Sequence, residues 1–236
     1  MGCACPKCGH ENLEGAAICI RCGVIFAKIK EVTPFEEQVP PRERAPEFPS
    51  PVIESNSSFL VAKAILLAAM AYYSFRLLVH PIASNFAGES FLHLVNLPFH
   101  EAGHVIFSPF GRLIQVMGGT LGQLLMPAIV TVSFFLRRDR YGSAVGLWWF
   151  GESMVDCAPY ADDARAGQLP LLGGVTGSEV EDYHDWEVIL GRLGILSWDH
   201  TVGRFFFVIG GLVMFSAIIY GGISLYQAKL NINAGR

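Results

Sequence analysis

The amino-acid sequence predicts an all-α multi-pass membrane protein with a small metal-binding unit at its N-terminus. Three observations predict it. Of the 236 residues, 52% are hydrophobic and only 16% charged, a balance that soluble globular chains rarely show. Long, nearly charge-free runs recur from Phe59 onward. Four cysteines near the start fall into two close pairs. The formal net charge of −4 and the lack of a long basic run exclude nucleic-acid binding through a phosphate-contacting patch.

The first 30 residues form the predicted N-terminal unit. Cys5-x2-Cys8 and Cys19-x2-Cys22, in "CPKCGH" and "CIRCGV", each carry a glycine directly after the second cysteine. Four thiolates at this spacing can close a tetrahedral zinc site, and this segment resembles a zinc ribbon between Cys5 and Phe26. Cys3 fits neither pair and reads as a spare thiol. A segment so short has no core, so metal would supply most of its folding free energy. Thiolate sites persist where thiols stay reduced, and no basic-then-apolar leader opens the chain. The N-terminus is therefore expected in the cytoplasm, with a protein partner possible for the ribbon.

Residues 31–58 carry Pro34, Pro40, Pro41, Pro46, Pro49 and Pro51 and read as an extended linker. The membrane domain is expected over residues 59–236, in contact with the lipid bilayer of the cytoplasmic membrane. Phe59 to Val79 holds only Lys63 and Arg76 as charges, and Phe205 to Tyr226 holds none; both read as transmembrane helices. Between them lie three less regular apolar stretches, making four to five spans with one possibly re-entrant. Asn96 as cap, Pro98 in the first turn and Pro109 with Gly111 as stops predict a helix over Asn96 to Ser108. At 1.5 Å per residue that is roughly 20 Å, short of the ~30 Å hydrocarbon core, so either Phe91 to Leu97 extends it with a proline kink or it is a half-helix buried against other helices. Leu113 to Leu136 is interrupted by "GGTLGQ", whose glycines allow close helix packing or a re-entrant turn. Tyr141 to Tyr160 holds Glu152 and Asp156 one turn apart. If one stretch is re-entrant, the basic "RRDR" at Arg137 to Arg140 joins the N-terminus inside.

The chemistry concentrates in "HEAGH". His100 and His104 stand at i and i+4, one helix face, where both imidazoles reach one metal; Glu101 beside them can take a proton from zinc-bound water. Ionisable groups inside a membrane segment are expensive, so three within five residues point to a site. A catalytic zinc takes a third protein ligand, and no Asp, Glu or His lies between Val105 and Arg138. The candidates are His184 and Asp185 in "YHDWEVIL", then Asp156, with Asp162, Asp163, Asp199 and His200 further possibilities. "HDW" is preferred because adjacent His and Asp offer a ligand and its partner, while Trp186 could seat the segment at the membrane surface. In a competing reading Asp185 caps a surface helix. His93 reads as an interfacial or supporting residue, Glu152 as sharing the role of Asp156 or lining a water path, and Gln123 as a bridge between helices or a group polarising a substrate carbonyl.

A membrane-embedded HExxH, a glycine-rich apolar stretch after it and a distant acidic residue resemble the site-2 protease class of intramembrane zinc metalloproteases. The resemblance implies two zinc ions, one structural and one catalytic, with His100 and His104 as ligands, Glu101 as general base and a later aspartate as third ligand. It implies membrane-anchored protein substrates cut within or near the bilayer. The asparagine-proline and aspartate-glycine signature of that class is absent here. The alternative is a non-catalytic membrane zinc protein acting as sensor or scaffold through its ribbon.

Overall fold

The computed structural model describes residues 2–28, 57–180 and 182–234. The chain divides into two compact units, residues 1–52 and 53–236. The expected linker lies outside the described residues up to 56, and Ser57 and Ser58 already belong to a helix.

The N-terminal unit is built from two similar knuckles. Strands β1 (Cys3–Ala4) and β2 (Glu11–Asn12) pair antiparallel with Cys3 opposite Asn12. In the first knuckle the amide of Cys5 donates to the His10 carbonyl and that of Gly9 to the Cys5 carbonyl. In the second, Cys19 donates to Val24 and Gly23 to Cys19. Gly9 and Gly23 have φ of 70° and 71°, the left-handed conformation that closes each turn and that glycine adopts without steric cost. Buried Asn12 ties the knuckles together: its amide nitrogen donates to the His10 carbonyl at 2.8 Å and its oxygen accepts from the Ile20 amide at 3.0 Å.

The second unit is helical: α1 (Ser57–Val79), α2 (Phe91–Phe107), α3 (Arg112–Leu136), α4 (Arg140–Asp162), α5 (Asp185–Arg192) and α6 (Asp199–Ala234). Among the described residues three segments are long and apolar enough to cross a membrane: Ser58–Val79, Arg112–Leu136 and Leu196–Asn233. This marks a membrane protein; α2 and α4, counted among the expected four to five spans, fall outside that measure of length and apolarity. The helix carrying HEAGH includes the Phe91 to Leu97 extension, because Ser90 caps it by accepting from the His93 amide and Pro98 is accommodated inside. Asn96, expected as its cap, is buried within it. Even so it has only 17 residues. The other shortfall is α4, which carries Glu152 and Asp156 and lies inside the protein, with Gly142, Ser143, Ala144, Gly146 and residues 151–159 buried.

Packing explains that burial. Gly151 of α4 and Gly210 of α6 meet so closely that a Cβ at Gly151 would lie 2.7 Å from the Gly210 carbonyl oxygen. Trp148 reaches α1, donating to Ser74 Oγ at 2.8 Å within a core that includes Met70, Leu77, Val155 and Met214. On the outer face of α6, Phe205, Val208, Leu212, Phe215 and Ile219 are exposed at helical spacing, the apolar stripe that lipid would cover.

Polar contacts fix the helix directions. Tyr141 at the start of α4 donates to the Lys63 carbonyl near the start of α1, and Arg140 donates to Gln227 near the end of α6. Arg137 to Asp139 joins the end of α3 to α4 at the same place. One end of the unit therefore gathers Lys63, Arg137, Arg138, Arg140 and Lys229. At the other end Asp162 meets His200 at 2.9 Å. Since α1 runs away from the basic end and α3 returns to it, α2 leaves from and comes back to the far end.

Candidate metal centre

The helix pair α2 and α3 sets the site. At their crossing a Cβ on Gly118 would lie 2.6 Å from the Gly103 carbonyl oxygen, and one on Gly103 or Gly122 would strike the opposing backbone. These small residues let the helices approach until side chains one turn apart on α2 face backbone on α3. His104 Nδ1 donates to the Gln115 carbonyl at 2.9 Å, and His100 Nδ1 donates to Gln123 Oε1 at 3.2 Å. With each Nδ1 proton so directed, Nε2 of both rings points the other way. A side chain at Gly119 would collide with Nε2 of His100 and of His104, so the absence of one keeps that space open.

Asp185 enters this space from the first turn of α5. Its Oδ2 lies 2.9 Å from His100 Nε2 and 3.1 Å from His104 Nε2. Val116, Met117 and Leu113 of α3 pack with Val188, Ile189 and Trp186 and hold α5 there. Burial alone would raise the Asp185 carboxyl, but the two imidazoles beside it outweigh burial and hold it at about 2. It is a carboxylate at neutral pH.

His184, offered beside Asp185 as a ligand, does not join the cluster. Its Nδ1 accepts from the Glu187 amide at 3.3 Å as the cap of α5, and burial pushes the imidazole below its usual value, keeping it neutral for that task. Its Nε2 stands 3.8 Å from Asp163. The cap is thus His184, and Asp185, the competing cap candidate, faces the histidines. Trp186 meets Phe206 near the start of α6 edge-on, with ring centroids 5.3 Å apart.

Behind His100 lies a buried polar network. Gln123 Nε2 donates to Asp156 Oδ2 at 2.7 Å; Asp156 also accepts from His93 Nδ1 at 3.0 Å and from Asn96 Nδ2 at 3.1 Å. Asn96 further donates to Glu152 Oε2 at 3.0 Å, and its oxygen accepts from Trp149 Nε1 at 2.8 Å. Asp156, the second-choice ligand, therefore stands one residue removed from the histidines, and both ends of the Gln123 amide are engaged, which leaves none for a substrate carbonyl. Glu152 is fully buried outside the cavity lining, with its Oε1 unpaired among the described residues. Asn96 is the residue that sequence reasoning missed: as the presumed cap it was read for its backbone role, and nothing in the linear sequence pairs it with α4. Asp199 binds Arg165 at 2.7 Å, Asp162 binds His200, and Asp163 caps a loop through the Leu169 amide.

A cavity of about 490 Å³ opens onto the three residues, lined also by Glu101, Leu94, Leu97, Leu171, Leu172 and Arg112, a size typical of ligand sites. Among the described residues the Glu101 side chain has no hydrogen-bond or ion-pair partner, and it lines this cavity.

Both clusters fit a metal. The ligand atoms of His100, His104 and Asp185 lie within 4.8 Å of one another, as do those of Cys5, Cys8, Cys19 and Cys22. Zinc–sulfur bonds of about 2.3 Å in a tetrahedron imply sulfur separations of about 3.8 Å, and Cys5–Cys22 and Cys8–Cys19 both stand at 3.7 Å. This four-cysteine cluster could bind a metal such as zinc. In the helical site two Nε2 lone pairs and a carboxylate oxygen converge once the Nδ1 protons are committed elsewhere, an arrangement that requires a cation or proton among them. Comparison with protein-family models, with curated proteins and with solved structures gave no match.

Proposed function

We propose that this chain is a membrane-embedded zinc metallopeptidase that cleaves membrane-anchored proteins, with a structural zinc in its N-terminal ribbon. The observation that carries the reading is the convergence of His100 and His104 on Asp185 in a cavity that Glu101 also lines. Zinc held by those three residues would supply the Lewis acidity that activates a water and polarises a peptide carbonyl. Glu101 takes a proton from the attacking water at its carboxylate and delivers it to the nitrogen of the departing amine as the C–N bond breaks. Leu94, Leu97, Leu171 and Leu172 receive apolar side chains of the substrate.

Lys63, Arg137, Arg138, Arg140 and Lys229 at one end are balanced by Arg76, Arg112, Arg165, Arg192 and Arg204 at the other, so the Lys and Arg count does not choose the cytoplasmic end. A four-thiolate ribbon is at home where thiols stay reduced, which favours the cytoplasm for the start of the chain. The metal centre, beside the beginning of α3 and the end of α4, belongs to the half of the helical unit opposite Lys63 and Arg140.

Glu101→Gln tests the proposal. It should leave zinc bound at both sites and reduce cleavage of co-expressed single-span reporter proteins by about 10²–10⁴-fold, the range that loss of a general base costs. If cleavage by the wild-type chain persists at full rate in Glu101→Gln, the peptidase assignment fails. If neither chain cuts any reporter while both hold zinc, the sensor or scaffold reading takes its place.

A further inference from the structure

We infer that Gln123 and Asp156 are positioning residues of the helical metal centre, fixing His100 in the tautomer and orientation that present Nε2 to the metal. The inference rests on reading His100, His104 and Asp185 as a metal site.

The two histidines are oriented by different means. His104 uses a backbone carbonyl, that of Gln115, which no side-chain substitution removes. His100 depends on a side chain, because Gln123 Oε1 is the acceptor for its Nδ1. An amide can flip, and its nitrogen facing His100 would force the other tautomer, with the proton on Nε2. Asp156 prevents the flip. A carboxylate only accepts, so Oδ2 at 2.7 Å demands the Gln123 nitrogen, and the Ser153 carbonyl at 3.5 Å demands the same. Asp156 cannot turn away, because His93 and Asn96 hold it from α2. The network is buried although Gln123 and Asp156 border the cavity: Gln123 is 4%, Asp156 2% and Asn96 1% exposed. A buried chain of this kind behind a ligating imidazole fixes its orientation, and losing such a partner typically weakens metal binding about 10–100-fold.

The experiment uses the full chain in detergent, with zinc affinity measured by chelator competition and cobalt(II) spectra taken as the difference from His100→Ala, which isolates the helical site. Gln123→Met, similar in shape but without the acceptor, should weaken zinc at the helical site about 10–100-fold and shift the cobalt bands, with ribbon zinc unchanged. Asp156→Ala, which touches no ligand, should do the same. Asp156→Asn should restore near-wild-type affinity, because its oxygen still accepts from Gln123. If Gln123→Met cannot be recovered folded, Gln123→Asn replaces it: the shortened amide cannot reach His100 yet remains polar towards Asp156. Unchanged zinc affinity and cobalt spectra in the Gln123 and Asp156→Ala variants, with only thermal stability lowered, would show that the network merely joins helices and would overturn the inference. A wild-type chain holding ribbon zinc alone, with His100→Ala indistinguishable from it, would instead overturn the metal reading beneath it.

Discussion

The two candidate metal sites are built in opposite ways. In the N-terminal unit all ligands come from one short segment; Cys5 and Cys22 are 17 positions apart, and little besides Asn12 and the knuckle turns holds the chain in place. In the helical unit His100 and Asp185 are separated by 85 positions, and they meet because α3 packs on both α2 and α5. On the proposed reading, metal would make the fold in the first unit, and in the second the fold makes the candidate metal site. The difference teaches where mutations will act: at the ribbon every ligand is also a folding residue, whereas at the helical site ligation and folding can be separated.

Removing metal from both sites with a chelator should break the comparison most plainly if it is mistaken. Structural zinc sites of this size bind with about 10–16 kcal/mol, so the first 28 residues should unfold, read as loss of amide dispersion in NMR spectra. The helical content by circular dichroism should stay within a few per cent. Simultaneous loss of the helices would mean that the second unit, too, is folded by its metal.

Neighbouring residues sharpen the separation. Asp185→Ala should abolish zinc binding at the helical site, since it removes one of three ligands. His184→Ala should leave the zinc in place and cost about 0.5–2 kcal/mol of stability, the usual range for losing a helix cap. Zinc retained by Asp185→Ala but lost with His184→Ala would exchange the roles of the pair.

Two smaller effects follow. Gly119→Ala should weaken zinc at the helical site alone, because the added methyl group occupies the space in front of both Nε2 atoms; equal weakening of ribbon zinc would refute this explanation. Asn12→Ala should affect only the ribbon. Leaving buried hydrogen-bonding groups unpaired costs about 1–3 kcal/mol, which coupled folding would convert into weaker zinc binding at about tenfold per 1.4 kcal/mol.

The sequence made some of this legible and left the rest hidden for physical reasons. A spacing of i and i+4 places two side chains on one helix face wherever the helix lies, so His100 and His104 were readable without tertiary information. The paired cysteines are readable for the same reason, since their geometry is local. Asp185 is different: choosing it over His184 requires knowing that a backbone turn makes His184 the cap and rotates Asp185 towards α2. The role of Asp156 was hidden because a carboxylate in an apolar helix announces that it needs partners without naming them. Gln123, Asn96 and His93 come from two other helices. The expected span count exceeds the three long apolar segments by α2, a helix of 17 residues, and by α4, which buries Glu152 and Asp156 inside the protein and so is less apolar than a lipid-facing helix.

That sheltering also bears on how the chain is made. Glu152 and Asp156 would cost several kcal/mol in bare lipid, and α6, whose glycines pack against α4, is synthesised after it. A nascent chain that has delivered α4 but not α6 holds an unprotected polar helix, so α4 must wait beside the insertion machinery or pair provisionally with α2 and α3. The polar backing of His100 lies wholly on α2, α3 and α4, so it can assemble before α6 arrives. Asp185 follows all of these in the chain, so the cluster of His100, His104 and Asp185 cannot form until α5 has been made.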